Sequence, residues 1–128
     1  MSGWRWLEST RELQEETYGY HYPSMYNNPE LLSKHLDWNQ TAAVQELAEL
    51  REEFSWKPWA TDDPFVNKER VIAEAVDVLH FIGNILVACG VNDEMLAEFY
   101  QHKQSINRAR RESGTYSARK GHISEGSD

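Results

Sequence analysis

Helix punctuation constrains this chain more tightly than any other feature. Asn28-Pro29-Glu30 sets a capping side chain, a proline for the first turn and an acid favoured by the macrodipole in the order that opens a helix. Neither glycine nor proline follows until Pro58, so this helix can run to about Phe54, with room for a break near Asp37. Pro58 and Pro64 then bracket a loop that cannot be regular helix. Asn67 caps the next helix and Gly90 closes it, while Asn92 caps another that extends to about Arg111. Ahead of all these, an amphipathic helix spans about Trp4 to Tyr18 and stops near Gly19. Almost nothing alternates as a strand would. The expectation is an all-α fold, a bundle of four to five helices with short connections.

A chain of 128 residues supports one core rather than two. A single domain is expected over residues 1–116, with a polar, mobile tail over 117–128. The net charge of −8 argues against a nucleic-acid binder, which carries a basic face, but not against a phosphate ligand reached through bound cations. Cys89 is the only cysteine, which excludes an intrachain disulfide and a cysteine-based zinc site, and its apolar neighbours suggest a packed thiol. No N-terminal apolar run resembles a signal peptide, and no stretch reads as a membrane span. The expected location is cytoplasmic.

Chemistry enters with two acidic pairs, Glu46 with Glu49 and Glu74 with Asp77. Each pair is spaced three apart on a helix, so its carboxylates project from one side about a turn apart. If the two helices lie side by side, four carboxylates converge, and their repulsion must be offset by protons or cations. Hard oxygen ligands at that density suit Mg²⁺ or Mn²⁺, which in turn bind phosphates. On the first of these helices Asn39, Glu46 and Glu53 fall at seven-residue steps beside the apolar Ala43, Leu47, Leu50 and Phe54. On the next, Ile72, Ala75, Val76, Leu79, Ile82 and Leu86 read as a core stripe with Glu74, Asp77 and Asn84 along its edge. Spacing alone does not separate a metal site from a solvated acidic face.

The last helix supplies cations. Lys103, Asn107 and Arg110 share a face, suited to phosphates. A basic C-terminal end that merely complements the helix dipole accounts for them equally well. In the loop Trp56-Lys57-Pro58-Trp59 two indoles flank one cation, and an indole can stack on a base or serve the core. His80 reads as a hydrogen-bonded core histidine, and there is neither a glycine-rich phosphate loop nor a nucleophile elbow. A metal-activated water is therefore the expected nucleophile, not a covalent enzyme intermediate.

Glu46-Leu-Ala-Glu49 followed by Glu74-Ala-Val-Asp77 resembles the ExxE…ExxD signature of the all-α NTP pyrophosphatase superfamily, which includes the MazG proteins and the dimeric dUTPases. Trp38-Asn39, Trp56-Lys57-Pro58-Trp59, Val66-Asn67-Lys68-Glu69 and Asp77-Val-Leu-His80-Phe81 resemble the MazG-like and dUTPase-like proteins of bacteria and their phages. Lys103-x-x-x-Asn107-x-x-Arg110, then Gly114 and Tyr116, is similar to the family's C-terminal phosphate motif, though Ala109 and Arg111 depart from it. The resemblance covers about residues 36–116. It implies a bundle of the MazG or dimeric dUTPase type and a Mg²⁺-dependent (or Mn²⁺-dependent) cleavage between the α- and β-phosphates of a nucleoside triphosphate.

On that likeness Glu46, Glu49, Glu74 and Asp77 hold two or more ions, and Glu49 orients and deprotonates the attacking water. Lys57, Lys103, Asn107 and Arg110 bind phosphates, while Asn39, Trp56 and Asn84 contact sugar and base. dUTP leads as substrate, with dGTP and dCTP as alternatives, and the N-terminal third matches only loosely. A homodimer or homotetramer in a bacterial cell or phage-infected host is implied, without nucleic-acid or membrane partners. The rival from another class is a non-catalytic helical interaction module. A di-iron bundle is disfavoured because only one acid–His pair, Asp77 with His80, has its spacing.

Overall fold

A computed structural model of the chain describes residues 4–54 and 67–114. Its elements are α1 (Trp6–Tyr18), a 3-10 turn (Tyr22–Ser24), α2 (Pro29–Arg51), α3 (Lys68–Ala88) and α4 (Asp93–Ser113), with no strand among the described residues. The expected all-α architecture holds. The chain divides into two compact units, Met1–Asp93 and Glu94–Asp128.

In the first unit the caps expected at Asn28 and Asn67 form. Asn28 Oδ1 accepts from Leu31 N and Asn67 Oδ1 from Arg70 N, each at 3.1 Å. Gly19 ends α1 in the left-handed conformation at φ 76°, and Gly90 follows α3 at φ 82°. α2 runs through Asp37 without a break and stops at Arg51, short of Phe54. The start of α1 is served from a distance: Asp93 Oδ1 accepts from Leu7 N at 2.8 Å and Oδ2 from Glu8 N at 3.1 Å. This carboxylate takes the orphan donors that Arg5, the residue at the cap position, does not satisfy with its own side chain.

α3 packs against both α1 and α2. Its contact with α1 is close at Gly83, where a Cβ would lie 3.1 Å from Thr10 Oγ1 and 3.2 Å from Trp6 Nε1. Val87 and Ala88 are buried on the same helix, and Leu7, Tyr22, Met25 and Ala43 are the other buried apolar side chains among the described residues. Polar side chains share this interior. Tyr22 Oη lies 3.4 Å from His35 Nε2, and Gln14 Nε2 lies 3.5 Å from the part-buried His80 Nε2. Burial pushes the Tyr22 phenol well up and the His35 imidazole down, keeping both neutral.

Three expectations are corrected here. The α3 stripe is not covered: Ile72 is 60% exposed and Val76 52%, with Leu79 and Ile82 also exposed. The reason is that burial on α3 centres on Gly83, Asn84, Val87 and Ala88, toward its C-terminal end, rather than on the upper part of the stripe. Cys89 is exposed, because it follows the last turn of α3 instead of sitting within the packed side. By length and composition α3 does meet the measure of a membrane span, with a mean hydropathy of 1.8 over eighteen residues. Glu74 and Asp77 lie within that helix, and their carboxylates face a neighbouring helix.

α4, which lies in the second unit from Glu94 on, has no buried residue among those described. Its apolar side chains Met95, Phe99 and Tyr100 are exposed, and Arg110 and Arg111 occupy its last turn.

Candidate functional site

α2 and α3 run antiparallel, and their polar edges meet in steps of seven residues. Near one end of the contact Asn84 Nδ2 donates to Asn39 Oδ1 at 2.9 Å, and Asn39 Nδ2 donates to the His35 carbonyl at 2.8 Å. Seven residues on along α2, and seven back along α3, Glu46 faces Asp77. Another such step brings Glu53, just past α2, to Arg70, with Arg70 Nε 3.0 Å from Glu53 Oε1.

Glu46, Glu74 and Asp77 each bring a carboxylate oxygen within 4.8 Å of the others. Glu49 belongs to the same field: it is a source of repulsion on both Glu46 and Glu74, and its Oε2 also lies 3.5 Å from Gln45 Nε2. Desolvation first, then Glu49 and Asp77, holds Glu46 above its ordinary pKa of 4.5. Glu74 is raised by desolvation, then by Glu49, Asp77 and Glu53, while Arg70 opposes the rise.

Glu74 Oε2 is buried yet has no hydrogen-bond partner. A carboxylate oxygen in that position loses its hydration without compensation from the protein. An all-oxygen donor set, repulsion among its members and an orphaned buried oxygen together fit a hard divalent cation of the Mg²⁺ or Mn²⁺ kind. The residues fit the ion.

The remaining expected site residues divide into groups. Asn39 and Asn84, at 1% and 2% exposure, are bonded to each other, and Asn84 Oδ1 is buried without a hydrogen-bond partner. Lys103, Asn107 and Arg110 follow one another at helical spacing on α4; Lys103 and Asn107 are exposed and Arg110 is half-buried. Lys57 and Trp56 lie outside the described residues, as does Tyr116. Arg70 is missed by the sequence reading, and Glu53, in line with Asn39 and Glu46, is given no role at the site there. Arg70 stands four residues before Glu74 on α3, a spacing that could have drawn notice, but its pairing with Glu53 depends on the register between helices.

A family model described as dUTPase matches residues 24–112, well over half of the chain. That span contains α2, α3, all four acids and most of α4. No curated protein and no solved structure matches the chain.

Proposed function

This chain belongs to the dUTPase family, nucleotide hydrolases of all-α fold, and on that premise we propose that it is a Mg²⁺-dependent pyrophosphohydrolase. It would cleave deoxynucleoside triphosphates between the α- and β-phosphates to a monophosphate and pyrophosphate, with dUTP as first substrate and dGTP or dCTP as alternatives. The observation that carries the reading is the convergence of Glu46, Glu74 and Asp77 beside Glu49, with Glu74 Oε2 buried and unsatisfied.

Glu46, Glu49, Glu74 and Asp77 would hold the ions through oxygen. Bound Mg²⁺ supplies polarisation of phosphoryl oxygens and neutralises charge that develops on the leaving pyrophosphate. Glu49 is exposed, so it can reach a solvent molecule and take its proton during attack. Lys103, Asn107 and Arg110 are assigned to the outer phosphates, with Lys57, because the field of the acidic chain needs local cations to admit a polyanion. Trp56 is assigned to the base and Asn39 and Asn84 to the nucleoside, Asn84 Oδ1 being the one oxygen of that amide pair without a hydrogen-bond partner.

The open stripe of Ile72, Val76, Leu79 and Ile82 supports a homodimer or homotetramer, since apolar patches of this kind mark interfaces. The location proposed is the cytoplasm of a bacterium or of a phage-infected host. A panel of nucleotides incubated with Mg²⁺ and read by phosphorus NMR tests the reaction. Monophosphate and pyrophosphate from at least one deoxynucleotide, dUTP first, are expected. Orthophosphate with a diphosphate, or no turnover at all, would refute the proposal and favour a non-catalytic interaction module.

A further inference from the structure

The seam between α2 and α3 alternates attraction and repulsion. Its middle is repulsive: Glu46 and Glu49 confront Glu74 and Asp77. On one side of that repulsion stands the buried Asn39–Asn84 amide pair, and on the other the Glu53–Arg70 ion pair, each seven residues from the Glu46–Asp77 level. Anions pushed together without a cation drive two helices apart, so attractive contacts on both sides are what that geometry demands.

The Glu53–Arg70 pair is built for the task. Arg70 meets Glu53 through two nitrogens, Nε to Oε1 at 3.0 Å and a terminal nitrogen to Oε2 at 3.5 Å. The Glu53 side chain is only 12% exposed although it follows the last turn of α2, while Arg70 is 70% exposed and held at its backbone by the Asn67 cap. The fork therefore reaches from the capped first turn of α3 to the turn that follows α2.

We propose that Glu53 and Arg70 are positioning residues that clamp the end of α2 onto α3 in the register that brings Glu46 and Glu49 to Glu74 and Asp77, and so set the affinity of the acid cluster for a divalent cation. The inference rests on the metal reading of that cluster. Arg70 is a cation near a cation site, and by charge alone its removal strengthens metal binding. As a clamp, its removal weakens binding.

Manganese binding followed by electron paramagnetic resonance, on the full chain and without nucleotide, separates the two. R70Q and E53Q should each weaken Mn²⁺ binding by about two- to fivefold, the range of partly exposed ion pairs. The swapped double variant E53R/R70E should return to within about twofold of the parent, as the coupling in a double-mutant cycle requires. Circular dichroism should show unchanged helix content, since Arg70 touches solvent over most of its surface. Unchanged or tighter Mn²⁺ binding by R70Q, or a swap that recovers nothing, overturns the clamp while leaving the metal site standing. A parent that binds no Mn²⁺ defeats the metal reading itself, and the clamp with it.

Discussion

Asn84 Nδ2 donates to Asn39 Oδ1 at 2.9 Å, joining α3 to α2 through two side chains almost wholly removed from water. A buried amide that loses its partner keeps the cost of desolvation and recovers nothing. Asn39→Ala leaves Asn84 with neither nitrogen nor oxygen engaged by this pair, and should destabilise the chain by about 1–3 kcal/mol. Chemical denaturation at fixed protein concentration measures it; a variant as stable as the parent would show that the pair is replaceable by packing.

Gly83 is a point of close approach between α3 and α1, with Thr10 Oγ1 3.1 Å and Trp6 Nε1 3.2 Å from where a Cβ would stand. Those atoms belong to an aromatic ring and a buried threonine, which give way less easily than a flexible chain end. Gly83→Ala should therefore lose about 1–3 kcal/mol from overpacking, exceeding alanine's helix-propensity gain. A melting temperature equal to or above the parent's would place α1 further from α3 than described.

The acid cluster imposes a pH signature on the metal-free chain. Glu46 and Glu74 both have folded pKa values above 4.5, so the folded state keeps protons that the unfolded chain has released. The stability tied to those protons is present at the acid end and is lost as pH rises from 4.5 through the raised folded values. His35 acts in the opposite sense, because its lowered pKa costs stability as pH falls below 6.5. Comparing the parent with Glu46→Gln or Glu74→Gln in chelator cancels the histidine. The stability of the parent relative to either variant should fall as pH rises through the acid window; parallel profiles would contradict the mutual repulsion.

The basic face of α4 is expected to act on the triphosphate rather than on the base. Arg110→Ala should weaken binding of a non-hydrolysable triphosphate by about 1.5–3 kcal/mol, the worth of a hydrogen bond to a charged group. The loss should be alike for every nucleoside and far smaller for a monophosphate. Calorimetry with both ligands decides it, and equal losses would return Arg110 to the scaffold.

What was legible in the sequence is what is local. Asn28, Asn67, Gly19 and Gly90 announce helix ends because a cap or a positive φ involves only the next few residues. The acid pairs were legible because three-residue spacing on a helix settles a side. Periodicity told which side of α3 is apolar but not what covers it, so Ile72 and Val76 read as core and stand exposed. The Glu53–Arg70 pair was hidden for a related reason: it exists only once α2 and α3 are set in register, and no single-helix pattern contains that register. The long-range cap from Asp93 to α1 is likewise a product of tertiary structure, with more than eighty residues between donor and acceptor.

Glu49→Gln tests the central claim most directly, because it preserves the shape of an exposed side chain and removes only the anion and its basicity. With saturating Mg²⁺ and dUTP, pyrophosphate release by this variant should fall by about two to four orders of magnitude, the usual contribution of a general base. Helix content should match the parent's. If Glu49→Gln releases pyrophosphate from dUTP as fast as the parent, the carboxylate cluster between α2 and α3 is not the site of hydrolysis.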